Sequence, residues 1–214
     1  MPELPEVEVV KKSLRKNIYG LTIKNIDIPN KSLRYKINEK LIRKMIKSKV
    51  LSIFRRSKYI LINLNNSHTI MFHLGMTGKI ILVDSNKKKY PTSFYYKLTD
   101  NIQIHNHLLC KFSNNTVLIY NDVRKFGFIK VYKTKEIEEI SHLKNLGPEP
   151  LSKKFNFIYF KKNIKKRKIY IKDLLMNQKF LAGLGNIYVN EAIFMSKINP
   201  KVQSFKLSSK KISA

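Results

Sequence analysis

Met1-Pro2-Glu3-Leu4-Pro5-Glu6 begins the chain and places a proline in second position, beside a carboxylate. If the initiator methionine is removed, Pro2 becomes an N-terminal secondary amine. An α-amino group has a pKa of about 8, against about 10.4 for a lysine, so more of it is uncharged and nucleophilic at neutral pH. Such an amine can attack C1′ of a deoxyribose and displace the base, with Glu3 transferring protons.

The residues that follow this opening have the spacing of a helix. Pro5 fits a first helical turn, and apolar residues recur at intervals of three and four, at Val7, Val10, Leu14 and Ile18. The positive end of the helix dipole disfavours a protonated amine, which would keep Pro2 reactive. The alternative is that the prolines only begin a helix with an acidic first turn.

The opening MPELPEVE closely resembles the start of bacterial formamidopyrimidine-DNA glycosylases, which repair oxidised purines. The resemblance implies that Pro2 is a Schiff-base nucleophile and Glu3 a proton donor. The related endonuclease VIII branch usually has glycine in place of Leu4, so the purine-excising branch is favoured. The implied function is removal of 8-oxoguanine and formamidopyrimidines with abasic-site lyase cleavage.

The charge balance favours a polyanionic partner. Lys and Arg total 43 against 14 Asp and Glu, a formal charge of +29, and neutralising phosphates releases counterions. Mutational bias is an alternative cause, since Lys, Ile and Asn have A/T-rich codons. With the resemblance, the implied partner is double-stranded DNA containing oxidised bases or abasic sites. A basic RNA-associated protein is a weaker alternative, because no aromatic RNA-recognition motif is present.

No apolar run is long enough to cross a membrane, and the N-terminus lacks the apolar region of a signal peptide. We therefore expect no membrane partner and a cytoplasmic, bacterial, nucleoid-associated protein, acting as a monomer.

Periodicity predicts an α+β fold. Short β-rich runs separated by turn residues predict an N-terminal antiparallel β-sandwich or barrel flanked by helices; they are residues 22–28, 50–55, 59–64, 69–73, 79–83, 95–98, 108–112, 117–120 and 128–132. Further helices are predicted at 39–48, 135–145, 155–162, 169–180 and 187–197. The predicted domains are a catalytic sandwich (1–134), a connecting helix and linker (135–150) and a helical helix-two-turns-helix domain (151–214).

Two loops carry the residues expected to open a duplex. Met76 lies in a tight turn between Gly75 and Gly78, where an apolar wedge into the base stack would explain it. The segment 121–127 resembles the family's D-P-R-R-F-G loop, with Val123 and Lys125 as departures. This resemblance implies that Arg124 pairs with the orphaned base and that Phe126 stacks beside it.

The remaining site residues are also assigned by resemblance. Lys58 of Arg55-Arg56-Ser57-Lys58-Tyr59 matches the lysine that supports elimination. His105 and Lys168 match DNA contacts, and Asn186, expected as an N-cap after Leu181-Ala182-Gly183-Leu184-Gly185, matches a phosphate contact.

The family continues beyond the segment equivalent to Pro200 into a four-cysteine zinc ribbon, whereas no cysteine follows Cys110. One Cys and five His cannot supply a tetrahedral structural zinc site, so no metal or other cofactor is expected. We expect a shortened family member. Whether it is a full enzyme or a lyase-only or non-catalytic DNA-binding remnant is left open by the sequence.

Overall fold

The computed structural model describes residues 2–93, 102–165 and 167–212. The strand predicted at 95–98 lies outside these residues. The chain forms two compact units, residues 1–140 (the first unit) and 141–214 (the second unit). The division falls within the linker predicted at 135–150.

Two antiparallel sheets form the first unit, in the strand orders β1-β7-β8-β5-β6 and β2-β3-β4-β9. Its elements are α1 (Leu4–Ile18), β1 (Ile23–Asp27), α2 (Glu39–Arg43), β2 (Val50–Arg56), β3 (Tyr59–Leu64), β4 (His68–His73), β5 (Lys79–Val83), β6 (Lys89–Pro91), β7 (Asn106–Phe112), β8 (Val117–Asn121) and β9 (Phe128–Lys133). The predicted sandwich and the α+β class are confirmed.

Both sheets and α1 share one hydrophobic core. Helix α1 packs against β2 and β3. The side chains at the predicted helical spacing, Val7, Val10, Leu14 and Ile18, are fully buried. Burying this apolar stripe fixes the helix on the sheet, because removing apolar area from water is the main favourable term in folding. The N-terminal residues therefore begin from a rigid support.

Two segments differ from the sequence-based expectation. Residues 135–145 form no α-helix: a 3-10 helix covers Thr134–Glu136 and turns follow, with the amide of Glu139 bonded to the carbonyl of Glu136. Hydrogen bonds between residues three positions apart close turns, whereas an α-helix needs bonds between residues four positions apart. Strand β6 was not predicted, because all three of its residues are exposed and an exposed edge strand leaves no apolar alternation.

The second unit contains α3 (Phe157–Ile164), α4 (Ile171–Met176), α5 (Asn186–Met195) and α6 (Ser209–Ile212), around a separate apolar core. The helices are shorter than the predicted ranges at several ends. None of the helices in the described part of the chain is long and apolar enough to span a membrane.

Candidate nucleic-acid processing site

The start of α1 holds the N-terminal residues in a fixed geometry. Glu3 is the N-cap residue and is only 1% exposed, and its backbone N–H donates to Glu6 Oε2 at 2.8 Å. Pro2 immediately precedes this cap and is half-buried. A capping carboxylate at the third helical position satisfies a backbone donor that the helix leaves open. The proposed amine is thus attached to an ordered helix end.

Lys58 lies in the turn that joins β2 to β3 and is half-buried. Burial lowers the pKa of Lys58, while the carboxylates of Glu3 and Glu6 act in the opposite direction. The net direction is downward, which increases the neutral fraction that can accept a proton. The structure therefore brings Lys58 within electrostatic reach of Glu3.

Arg55 connects this turn to α1. Its side chain is 10% exposed, and Nε donates to Glu8 Oε2 at 2.8 Å while Nη1 donates to the carbonyl of Ser57 at 2.8 Å. Burial by itself would raise the pKa of Glu8, but hydrogen bonds from Lys11 and Arg55 outweigh it and lower the pKa. The helix that carries Pro2 and the turn that carries Lys58 are thus tied together. Sequence reasoning named Arg55 only as part of the segment that contains Lys58.

The three predicted wedge residues occupy two touching loops. Met76 and Phe126 are 41% and 45% exposed, and the Arg124 guanidinium carbon lies 4.7 Å from the centre of the Phe126 ring. A Cβ added to Gly75, which has φ +59°, would lie 2.4 Å from the backbone nitrogen of Gly127. Only glycine permits so close an approach of the loops. The structure thus brings Met76, Arg124 and Phe126 onto one exposed surface, called the wedge below.

A buried carboxylate supports the wedge. Asp122 is fully buried; its Oδ1 accepts the hydroxyl of Thr77 at 2.6 Å and its Oδ2 accepts the N–H of Gly127 at 2.8 Å. The N–H of Arg124 donates to Thr77 Oγ1 at 3.1 Å. Charge-assisted hydrogen bonds to a buried carboxylate are strong, so the two loops are held rigidly together.

His73 joins the site although sequence reasoning assigned it no role. It ends β4, and its Nδ1 accepts the N–H of Gly75 at 3.2 Å, so a ring proton belongs on Nε2. The ring stacks on Phe128 at 5.2 Å and lies 5.1 Å from the ring of Tyr59, the residue after Lys58. His73 therefore stands between the lysine turn and the wedge. The available signal was its place beside the Gly75 turn.

His105 ends a 3-10 helix, Ile102–His105, just before β7. Its carbonyl accepts the N–H of Asp122 at 3.1 Å, and its side chain is partly exposed. His105 precedes strand β7, whereas His107 lies within that strand and is fully buried.

In the second unit, Lys168 and Asn186 are both exposed. Gly185 is the N-cap of α5 and Asn186 is its first helical residue, which corrects the assignment of Asn186 as the cap. Gly185 has the extended conformation typical of an N-cap (φ −133°, ψ −163°), so the helix begins at Asn186, one residue earlier than the predicted start at 187. The N-terminus of a helix favours a phosphate, and α5 presents the exposed Asn186 at that end.

The turns before α5 are organised by Gln178. Its Oε1 accepts the N–H of Gly183 at 2.8 Å, and its Nε2 donates to the carbonyl of Leu184 at 2.7 Å. Gly183 has φ +101°, which favours glycine. In the segment before α4, the carbonyl of Arg167 accepts a hydrogen bond from Ser204 Oγ at 2.7 Å. This bond holds the backbone next to Lys168.

Cys110 is buried, and burial raises the pKa of its thiol to about 12. Within residues 2–93, 102–165 and 167–212, no three His, Cys, Asp or Glu side chains lie close enough together to hold a metal ion. The expectation that no cofactor is bound stays a prediction.

Comparison with known proteins divides the chain at nearly the same place. Residues 1–129 match the model of the formamidopyrimidine-DNA glycosylase N-terminal domain, and residues 146–214 match that of the formamidopyrimidine-DNA glycosylase H2TH (helix-two-turns-helix) domain. The chain is 37% identical to the formamidopyrimidine-DNA glycosylase of Rickettsia bellii over 94% of its own length and 68% of the relative's. It is 38% identical to that of Rickettsia felis over 94% of this chain and 67% of the relative.

Solved structures of Lactococcus lactis Fpg are similar over 99% of this chain. A complex of that protein with DNA containing an abasic site has a TM-score of 0.83 at 31% identity, with 73% of its chain covered. A complex with DNA containing an N7-benzyl-Fapy-dG has a TM-score of 0.83 at 31% identity, with 74% covered. The fold and these relatives thus place the chain in the class of DNA glycosylases. The chain belongs to the formamidopyrimidine-DNA glycosylase family.

Proposed function

We propose that this protein is a base-excision repair glycosylase that removes 8-oxoguanine and formamidopyrimidines from double-stranded DNA and then cleaves the abasic site as a lyase. One observation carries the proposal: Pro2 and the buried Glu3, at the start of α1, lie close to the turn that contains Lys58. The carboxylate of Glu3 influences the pKa of Lys58. An N-terminal amine, a proton donor and a basic amine with a lowered pKa are the groups that Schiff-base chemistry needs.

In the proposed reaction the Pro2 nitrogen bonds to C1′ while the glycosidic bond breaks and its electron pair leaves with the base, which takes up a proton. Glu3 donates a proton to the ring oxygen, so the sugar opens to an iminium on Pro2. Removal of a C2′ proton then expels the 3′ phosphate, and Lys58 assists this elimination. Hydrolysis of the iminium restores the free amine.

The wedge gives this chemistry access to a base inside a duplex. A base must leave the stack before its glycosidic carbon can be attacked, and proteins fill the resulting gap with apolar or cationic side chains. Met76, Arg124 and Phe126 form such a surface, with the guanidinium over the aromatic ring. In this proposal His105, Lys168 and Asn186 contact phosphates. Complexes of Lactococcus lactis Fpg with abasic-site DNA support a DNA partner.

Single-turnover assays on two duplexes test the proposal: one contains 8-oxoguanine opposite cytosine and the other an abasic site. We expect both to be cleaved, the abasic site faster because no base has to be extruded. Pro2→Gly should slow abasic cleavage by about 100-fold or more, a typical loss for a positioned catalytic group. Pro5→Ala is the matched control and should retain activity. Full abasic cleavage by Pro2→Gly would contradict the proposal, and binding without cleavage by the wild type would favour the non-catalytic alternative.

The proposed steps need only the N-terminal amine, protein side chains and water. Elemental analysis of protein purified without added metal tests the expectation that no structural zinc is bound, and gel filtration tests the expected monomer. We place the activity in the bacterial cytoplasm, at the nucleoid.

A further inference from the structure

His107 is a buried titratable group that the proposed reaction does not use. It lies in β7, and its side chain is 0% exposed. Ring Nδ1 lies 3.1 Å from the carbonyl oxygen of Asn30, and ring Nε2 lies 3.0 Å from the carbonyl oxygen of Asp122. Both distances are those of hydrogen bonds.

The two partners of His107 can only accept hydrogen bonds. A backbone carbonyl has no proton to give, and a neutral imidazole carries one N–H and one bare nitrogen. In the neutral form, one lone pair of the ring would therefore face a carbonyl oxygen at hydrogen-bond distance inside the protein. Leaving a buried polar pair unsatisfied is costly. The imidazolium form donates at both nitrogens and satisfies both contacts.

The charges around His107 suit a cation. Asp122, whose carbonyl bonds to Nε2, carries a fully buried carboxylate that accepts hydrogen bonds from Thr77 and Gly127. From β8, the Tyr120 ring meets the imidazole edge-on at 6.4 Å, and its hydroxyl donates to the carbonyl of His73. Close to Asn30 in the chain, Asp27 and Lys31 are exposed, and Lys31 pairs with Glu39. The residue whose carbonyl faces Nε2 thus also carries a buried carboxylate, and a buried cation needs such a negative group nearby.

We propose that His107 is held as an imidazolium and acts as a positioning residue for the wedge. Its two N–H groups join the loop at Asn30 to Asp122, and Asp122 fixes Thr77, Gly127 and, through Thr77, the backbone of Arg124. His107 touches neither DNA nor the reacting atoms in this scheme. The role in duplex opening rests on the proposed function, whereas the charge state does not.

Nitrogen NMR of the full chain labelled with 15N-histidine tests the charge state directly. We expect both ring nitrogens of His107 to carry a slowly exchanging proton at neutral pH. One protonated and one bare nitrogen would overturn the proposal. The sequence contains five histidines, so the signal is assigned by replacing His68, His73, His105 and His142 one at a time with Gln. The His107 signal is the one that survives each change.

A fluorescence assay tests the positioning role. A duplex with 2-aminopurine opposite a non-cleavable abasic analogue reports entry of the wedge beside the orphaned base. We expect His107→Gln to slow this signal by about tenfold, the effect of one lost charged hydrogen bond. The Gln side chain ends in one NH₂ group and one accepting oxygen, so it cannot donate to both carbonyls from two separate nitrogens as an imidazolium does. Trapping on single-stranded abasic DNA needs no wedge and should change less than twofold.

His68→Gln is the matched control, because His68 also bonds through Nδ1 to a backbone carbonyl, that of Asn66 at 2.8 Å, at the opposite end of β4 from His73. It should leave the fluorescence step unchanged. If both variants slowed the fluorescence step equally, His107 would affect only the general stability of the fold, and the proposal would be contradicted. If the wild type itself gives no fluorescence step, the proposed function fails while the NMR result still decides the charge state.

Discussion

The two units fix their functional loops with different buried polar groups. In the first unit the carboxylate of Asp122 gathers donors, the Thr77 hydroxyl and the Gly127 N–H. In the second unit the carboxamide of Gln178 accepts the Gly183 N–H and donates to the Leu184 carbonyl. A carboxylate only accepts, whereas an amide does both. The carboxylate of Asp122, which makes the stronger, charge-assisted hydrogen bonds, supports the wedge, and the neutral carboxamide of Gln178 closes a turn.

The two units also differ in how exposed their proposed site residues are. Glu3 is buried and Lys58 half-buried in the first unit, where desolvation changes the pKa of Lys58. Lys168 and Asn186 of the second unit are exposed. Bond-breaking chemistry benefits from preorganised, partly dry groups, whereas phosphate binding needs accessible charge and N–H groups. The predictions below probe this contrast, from the largest expected effect to the smallest.

Asp122→Asn should have the largest effect. In the variant an NH₂ group replaces one of the two accepting oxygens. That NH₂ group then faces the hydroxyl of Thr77 or the N–H of Gly127, which loses its acceptor inside the protein. We expect a loss of about 3 kcal/mol in unfolding free energy and a larger loss of 8-oxoguanine excision than of single-stranded abasic trapping. Urea denaturation and single-turnover assays measure the two. Unchanged stability would show that the Asp122 network is not made.

Gln178→Glu is the reciprocal change in the second unit. The carboxylate keeps the Gly183 bond but faces the Leu184 carbonyl without a donor, so we expect a loss of about 1 to 3 kcal/mol. Duplex affinity should fall, and trapping at saturating abasic DNA should stay near wild type. A variant that loses trapping at saturation while its affinity is intact would break the proposed division of roles.

Arg55→Lys keeps the positive charge but cannot make both bonds of the Arg55 fork. We expect about tenfold slower abasic cleavage at saturating DNA, since Lys58 is no longer tied to α1. The matched control is Arg43→Lys, because Arg43 likewise bonds a carboxylate, Glu39, and a carbonyl, that of Ile26. Equal losses in both variants would mean that Arg55 serves stability alone.

Lys168→Gln should have the smallest effect. An exposed phosphate contact weakens binding to all duplexes alike and lowers the slope of log affinity against log salt by about one. Fluorescence anisotropy at several salt concentrations measures that slope. Loss of lesion preference with an unchanged slope would place Lys168 elsewhere in the reaction.

Much of the candidate site could be proposed from the sequence, because its residues lie in short contiguous motifs. MPELPEVE, the Lys58 turn and the two wedge loops each carry their signal within eight residues. The supports were not predictable: Arg55 meets Glu8 across 47 positions and His107 meets Asn30 across 77. Such pairs depend on how the sheets assemble, which periodicity cannot specify. The helix predicted at 135–145 was wrong for the opposite reason: its local pattern suits a helix, but the chain forms turns closed by hydrogen bonds between residues three positions apart.

Borohydride trapping with peptide mapping tests the central claim most directly. Protein incubated with abasic-site duplex and borohydride should form a covalent complex, and mass spectrometry should place the cross-link on the Pro2 nitrogen of the N-terminal peptide. The yield should fall in Glu3→Gln, which removes the proton donor, and remain substantial in Lys58→Met. A cross-link that maps to Lys58 and survives Pro2→Gly at full yield would contradict the account.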